Sequence, residues 1–260
     1  MDLQIKLVND GYAATHQLQA ADWLPDWAQW RQQAFGFTYE PAVMVYNRRL
    51  LADEEIPHNR FELINLLRDR RARFLERVGT YDIDRSGLGY LFASQDAQQA
   101  STWGRLTENL SLVRFRRYEN TQSMLDAVRS GELLLAYNVL GSYAQADLSR
   151  YPELGMILPG DYTLVMSRIA FVSKRARNPA LAHRFLDYLL SLRGQSLLGQ
   201  QSRLYPIHPE VTGETSYQGL QALTRERAPL KVIRLSPALL TYQDQMKKRN
   251  FLEEWRKLLP

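Results

Sequence analysis

The residues with chemistry to offer lie in two polar stretches, Tyr81-Asp-Ile-Asp-Arg-Ser-Gly-Leu-Gly-Tyr90 and Glu119–Tyr143. Ser86, Gly87 and Leu88 fall where an apolar run ends and a helical pattern begins. A helix start presents backbone N–H groups and a partial positive charge, which suits a carboxylate or a phosphate. Asn120 and Thr121 form a second such start. Tyr137 and Asn138 follow the apolar run Leu133-Leu-Leu-Ala136, whose length and composition predict a buried strand. Open α/β sheets bind ligands outside the carboxyl ends of their strands. Each residue also has an ordinary structural use, because Ser and Asn cap helices and Asn and Gly form turns. Their grouping between residues 86 and 143 points to one cleft for a small anion. Arg168 lies in the apolar run Thr163–Val172 and needs a partner there, either a bound anion or a structural carboxylate.

Other chemistries lack their residues. The histidines, His16, His58, His183 and His208, show no metal-ligand spacing, and no nucleophile elbow, Walker A or dinucleotide fingerprint occurs. Asp53-Glu-Glu55 and Glu253-Glu254 read as solvated faces. The expectation is a protein that is not an enzyme and carries no cofactor or metal. The chain has no cysteine, which excludes disulfides, zinc thiolates and thiol nucleophiles. Its 33 basic and 28 acidic side chains give a net charge of +5. That mild excess fits an anion binder and falls short of a dedicated nucleic-acid binder. The arginines of 68–77 and the run Val113-Arg-Phe-Arg-Arg-Tyr118 read as a solvated helix face and an exposed strand, so no nucleic-acid partner is expected.

The elements that must position these residues alternate between strand and helix, which makes the class α/β. Residues 2–12 read as a short amphipathic helix, 42–46 as a buried strand, and 59–77 as one long helix. Phe61, Ile64, Leu67, Phe74 and Leu75 are expected to face inward along it. A helix follows near 87–99, and another ends at Arg129-Ser130-Gly131. Strands are expected at 156–158 and 163–172, a helix with Pro179 in its first turn at 178–191, and a terminal helical region at 239–259. No apolar run reaches the ~20 residues that span a bilayer. No basic-then-apolar export signal opens the sequence, so the reading is either a cytoplasmic protein or a missing amino terminus.

Several segments, in this order, resemble the periplasmic substrate-binding proteins of ABC transporters, in the iron(III)/thiamine/phosphonate-type branch. They are Ala42–Asn47, Tyr81–Tyr90, Asn120–Ala144, Thr163–Val172 and Asn178–Gln195, and the likeness covers roughly residues 1 to 210. The resemblance implies the class II periplasmic binding fold, with two α/β lobes joined by a strand hinge and ligand held between them. One lobe would comprise 1–48 and 163–260, the other 49–162. Met1–Lys6 looks like the family helix after the second strand, so the first lobe would lack its opening βα units and the export signal. Such a lobe would expose strand edges and apolar surface. The resemblance further implies a monomer in the periplasm that docks on permease membrane subunits. Ser86, Gly87 and Leu88 would hold an organic or phosphate-bearing anion, with Asn120 or Thr121, Tyr137 and Asn138 as the opposing wall and Arg168 as a countercharge. Iron-binding members use adjacent tyrosines where this chain reads Tyr137-Asn138, which argues against a ferric site. A sensory partner of a two-component kinase would need the same ligand chemistry and remains the other reading.

Overall fold

The computed structural model describes residues 1–18, 21–99, 101–202, 204–224 and 229–259. Its first elements are α1 (Asp2–Asn9), β1 (Gln29–Trp30), β2 (Ala34–Gly36), β3 (Glu40–Asn47), α2 (Arg60–Asp69) and α3 (Arg71–Phe74). Then come β4 (Val78–Tyr81), α4 (Gly87–Gln99), α5 (Trp103–Leu112), β5 (Arg116–Tyr118), α6 (Thr121–Ser130), β6 (Leu135–Leu140) and α7 (Gly141–Leu148). The remainder is β7 (Leu154–Ile157), β8 (Thr163–Met166), β9 (Ile169–Ala170), α8 (Pro179–Leu190), α9 (Leu192–Gln201), α10 (Tyr217–Thr224), β10 (Leu230–Val232) and α11 (Gln245–Lys257). No helix among the described residues is long and apolar enough to cross a membrane. The fold is mixed α/β, and it divides into two units.

Unit 2 comprises Pro41–Leu164, Glu226–Lys231 and Met246–Pro260. Its sheet places β3, β6, β4 and β5 side by side, with β4 parallel to both β5 and β6 and β3 antiparallel to β6. Every residue of β4 and β6 is buried, as expected of strands covered by helices on both faces. Gly79 of β4 has no room for a side chain, because a Cβ would come within 2.4 Å of Leu133 Cδ1. The sequence signals for α6 hold in detail. Asn120 Oδ1 accepts from the Ser123 amide at 2.9 Å, and Gly131 closes the helix with φ of +82°.

Three expectations are corrected here. The helix expected over 59–77 breaks at Arg70 into α2 and α3, and Phe61 and Leu75, expected inside, are exposed. The buried strand starts two residues later than the apolar run and continues to Leu140, so Tyr137 and Asn138 lie within β6 and not past its end. Pairing with β3 carries it on, whereas the Leu134 amide donates to the Arg77 carbonyl. Residues 246–260, expected with the first lobe, group with unit 2 because α11 packs there. Phe251 and Trp255 stack on Trp103 at 6.1 and 6.3 Å, and Trp255 meets Phe115 edge-on at 5.1 Å.

Unit 1 comprises Met1–Glu40, Val165–Arg225 and Val232–Gln245. A three-stranded sheet runs β1-β2-β9, with both pairs antiparallel. Leu24, Ala28, Phe35, Val172, Leu186, Leu190 and Ile207 form a core against it. Asn178 caps α8, with Pro179 in the first turn as its sequence predicts. The turn into α9 demands Gly194, where a Cβ would sit 2.0 Å from the Tyr188 carbonyl oxygen. Gln195 is fully buried and fully used: its amide nitrogen donates to the Phe37 and Leu189 carbonyls, and its oxygen accepts from the Ile207 and His208 amides.

Candidate functional site

Three helices of unit 2 begin at one edge of its sheet. The parallel register pairs Tyr81 of β4 with Tyr118 of β5, and Val78 and Gly79 of β4 with Leu135 and Ala136 of β6. These strands run into α4, α6 and α7 respectively, so Gly87, Thr121 and Gly141 open their helices at the carboxyl ends of three neighbouring strands. Each helix start leaves amides that the helix itself cannot satisfy, and the three dipoles point their positive ends toward this edge.

The candidate residues of this edge differ in how far they are committed. Ser86 is buried and its hydroxyl accepts from the Gly89 amide at 3.2 Å, an N-cap. Gly87 is exposed, and a Cβ there would meet nothing within 4 Å. Leu88 is half-buried beside it. Gly89 is the opposite case, since a Cβ would lie 2.2 Å from Tyr81 Cβ. Its lack of a side chain lets α4 start tight against the end of β4. Asn120 is exposed and caps α6, while the buried Thr121 hydroxyl bonds that of Tyr81 at 2.6 Å. The charges nearby are paired: Arg85 with Glu119, Arg117 with Asp82, and Arg256 of α11 with Asp84 at 2.6 Å.

Tyr137 and Asn138 are placed differently. The register with β3 shifts here, so that both residues oppose Met44 alone. This β-bulge, with Asn138 at φ of +60°, aims two consecutive side chains at one carboxylate. Asn tolerates that left-handed conformation better than most residues. The Tyr137 hydroxyl and the Asn138 amide donate to Asp96 Oδ2 at 2.8 and 2.7 Å. The Tyr162 hydroxyl and Arg60 Nη2 donate to Asp96 Oδ1 at 2.7 and 3.1 Å. Asp96 therefore accepts four hydrogen bonds while only 1% exposed. Arg60, equally buried, also donates to the Tyr137 hydroxyl at 2.6 Å, the Tyr162 carbonyl at 2.7 Å and Asp161 at 3.0 Å. Its guanidinium carbon stands 3.6 Å from the centre of the Tyr162 ring.

Sequence reasoning missed Arg60, Asp96, Asp161 and Tyr162. The local signal was weak, because Asp96 stands among Ser94, Gln95, Gln98 and Gln99 in the polar second half of α4. Burial by itself would depress the Arg60 guanidinium, but Tyr137 and Asp96 more than reverse that, and it is held above its ordinary value. Burial pushes the Tyr137 hydroxyl well above the usual tyrosine range. Arg60 opposes the rise and Asp96 adds to it. Satisfied on every side and closed to water, this cage is a tie between α2, α4, β6 and the segment before β8.

Arg168 belongs to unit 1. The expected strand 163–172 is interrupted at Ser167-Arg168, between β8 and β9. The guanidinium Nε donates to Oε1 of the fully buried Glu40 at 2.8 Å. Of the two partners the sequence left open, the structural carboxylate is present. Among the histidines of unit 1, His16 bonds Asp187 at 2.7 Å and stacks on His183 at 4.6 Å, and His208 packs against Trp23 with the rings tilted and their centres 4.2 Å apart. Among the described residues no group of three or more His, Asp or Glu side chains is placed to hold a metal ion.

The sequence matches the model of the bacterial extracellular solute-binding protein family over residues 2–221. The chain belongs to that family. The crystal structure of the substrate-binding protein of an ABC transporter from Agrobacterium tumefaciens is 38% identical and superposes with a TM-score of 0.91, covering 100% of this chain and 76% of that one. Iron-bound HitA from Pseudomonas aeruginosa superposes with a TM-score of 0.74 at 19% identity, covering 99% of this chain and 79% of that one. The Atu4243-GABA receptor superposes with a TM-score of 0.71 at 13% identity, covering 99% and 78%. At that identity the last two share the fold alone. A search among curated proteins returned no match. Membership makes this solute-binding protein an extracellular component of the ABC-transporter class with the class II binding fold, the branch its sequence resembles.

Proposed function

We propose that this family member captures a small organic or phosphate-bearing anion at the α4 and α6 helix starts of unit 2 and delivers it to permease membrane subunits from the periplasm. The observation that carries the reading is the convergence of three helix N-termini at one sheet edge, with open space over the exposed Gly87. Gly87 and Leu88 donate backbone N–H groups, and Ser86 fixes the turn that presents them. Asn120 and Thr121 stand at the neighbouring start. Tyr137 and Asn138 act behind this edge, holding α4 through Asp96, and Arg168 stays with Glu40 in unit 1. The charge pattern agrees, because the nearby arginines are already paired and the attraction falls to backbone dipoles. That arrangement favours a compact, singly or doubly charged ligand over a polyanion.

A ferric reading draws on iron-binding neighbours that share the fold at 16–19% identity, whereas this edge offers backbone amides and its carboxylates Asp82, Asp84 and Glu119 are paired with arginines. Hard ferric chemistry calls for anionic oxygen ligands, so the anion reading is preferred. Thermal shift and calorimetry with carboxylates, phosphonates, sugar phosphates and ferric citrate test the proposal. Saturable stabilisation by one anion class, weakened by Gly87→Val, supports it. Stabilisation by ferric ion alone, or by a cation, overturns it.

A further inference from the structure

In unit 2, α11 packs on α5 through the Trp103 stack and leaves a pocket of about 360 Å³ between them. That volume falls in the range of small-molecule sites. Trp103 and Gly104 of α5 line one side, and Phe251, Glu254, Trp255 and Lys257 of α11 line the other. Phe251 and Trp255 are both buried and, four residues apart, share one face of α11. The half-buried Trp103 ring lies nearly parallel to them, at 18° and 11°. A further flat ring joins such a set by offset stacking. The Ser111 hydroxyl donates to the Leu258 carbonyl, which pins the carboxyl end of α11 to α5. Gly104 is exposed and leaves the pocket open on its side, because a Cβ there would meet nothing within 4 Å.

The aromatic floor meets a charged mouth. Glu254 and Lys257 are exposed, and neither side chain has a hydrogen-bond or ion-pair partner among the described residues. Their neighbours on the same helix are spent differently, since Glu253 pairs with Arg249 and Arg256 with Asp84. Residues three apart are neighbours on a helix surface, so the two unspent charges stand side by side with opposite sign. An α-amino acid carries its ammonium and its carboxylate on one carbon, which gives the same pair of charges at the same close spacing. Stacked rings below and two opposite charges above thus complement an aromatic side chain with a zwitterionic head.

We infer that the pocket between α5 and α11 is a binding site for an aromatic α-amino acid. The ring enters beside Trp103, Phe251 and Trp255. Glu254 accepts from the ammonium group, and Lys257 donates to the carboxylate. None of these residues belongs to the α4 or α6 helix start, so the inference stands whether or not that edge binds an anion.

The probe is L-phenylalanine, titrated into the whole chain by calorimetry. Phenylpropionate lacks the ammonium, phenethylamine lacks the carboxylate, and L-leucine lacks the ring. Saturable one-site binding of L-phenylalanine is expected, with each comparator about tenfold weaker or more. Lys257→Met should weaken L-phenylalanine by about tenfold and leave phenethylamine unchanged. Glu254→Gln should weaken it equally and leave phenylpropionate unchanged. Both side chains are exposed, so the fold should survive each change. Gly104→Leu fills the pocket from an exposed helical position and should abolish binding. Its circular dichroism should match the parent and its urea midpoint should not fall, because Leu is the better helix former. Absence of saturable L-phenylalanine binding by the folded chain overturns the inference. So does equal affinity for phenylpropionate or L-leucine, or binding that survives Gly104→Leu. Binding kept in Gly104→Leu but lost in Gly87→Val overturns it in favour of the α4 helix start as the amino-acid site.

Discussion

Two polar regions of unit 2 lie at the two ends of α4, and they are built on opposite terms. The Asp96 cage near its carboxyl end has every donor matched to an acceptor, at 1% exposure for both charged partners. The helix-start edge at its amino end has open space beside the exposed Gly87, and the first amides of α4 have no partner within the helix. A satisfied buried network resists any ligand, because entry would have to break bonds already made. An edge with unspent donors gains bonds when an anion arrives. Density of polar residues is therefore a poor guide to a binding site, and unspent hydrogen-bonding capacity next to solvent is a better one. The two regions are coupled through one rigid helix, so the cage sets where the open edge points.

Breaking the cage should have the largest effect. Asp96→Ala takes from Arg60 the more deeply buried of its two carboxylates, leaving only Asp161, and a loss of about 3–5 kcal/mol in urea unfolding is expected. A loss under about 1 kcal/mol, the range of surface pairs, would mean the cage is not closed to water. Filling the edge comes next. An anion of the right class at a hundred times its Kd should add about 2.7 kcal/mol, read as a raised Tm. Asp96→Asn should lower both stability and anion affinity, whereas Gly87→Val should lower affinity alone.

High pH separates the two regions further. The folded Tyr137 holds its proton above the ordinary tyrosine range, so its contribution is full below about pH 10, where the unfolded chain is also protonated. As pH rises beyond that, the unfolded state loses a proton that the folded state keeps. Stability should then fall by up to about 1.4 kcal/mol per pH unit for this group, and Tyr137→Phe should flatten the slope. Stability independent of pH between 9 and 11.5 would contradict the burial of this hydroxyl.

The smallest change is at the cap. Ser86→Ala removes the acceptor for the Gly89 amide and should cost about 1 kcal/mol in unfolding. A larger loss in anion affinity than in stability would tie the cap to the ligand, and equal losses would make it structural only.

Much of this architecture was legible before any coordinates. The caps Ser86, Asn120 and Asn178-Pro179, the Gly131 stop and the buried strand runs are all recorded in residues at most a few positions apart. The order of those signals was enough to indicate the family. The fold class and the helix starts follow from such short-range patterns because a helix or turn closes its hydrogen bonds within four or five residues.

The sequence by itself therefore determined where α4, α6 and α8 begin and where α6 ends. Tertiary structure decided which polar residues remain available. Arg60 meets Asp96 across 36 positions and the Tyr162 carbonyl across 102, and Arg168 meets Glu40 across 128. Nothing in a local pattern encodes such partners. The bulge that turns Tyr137 and Asn138 toward one carboxylate arises only when β6 is laid against β3. Burial and pairing are properties of the assembled fold, and they separate a buried tie from an open helix-start edge.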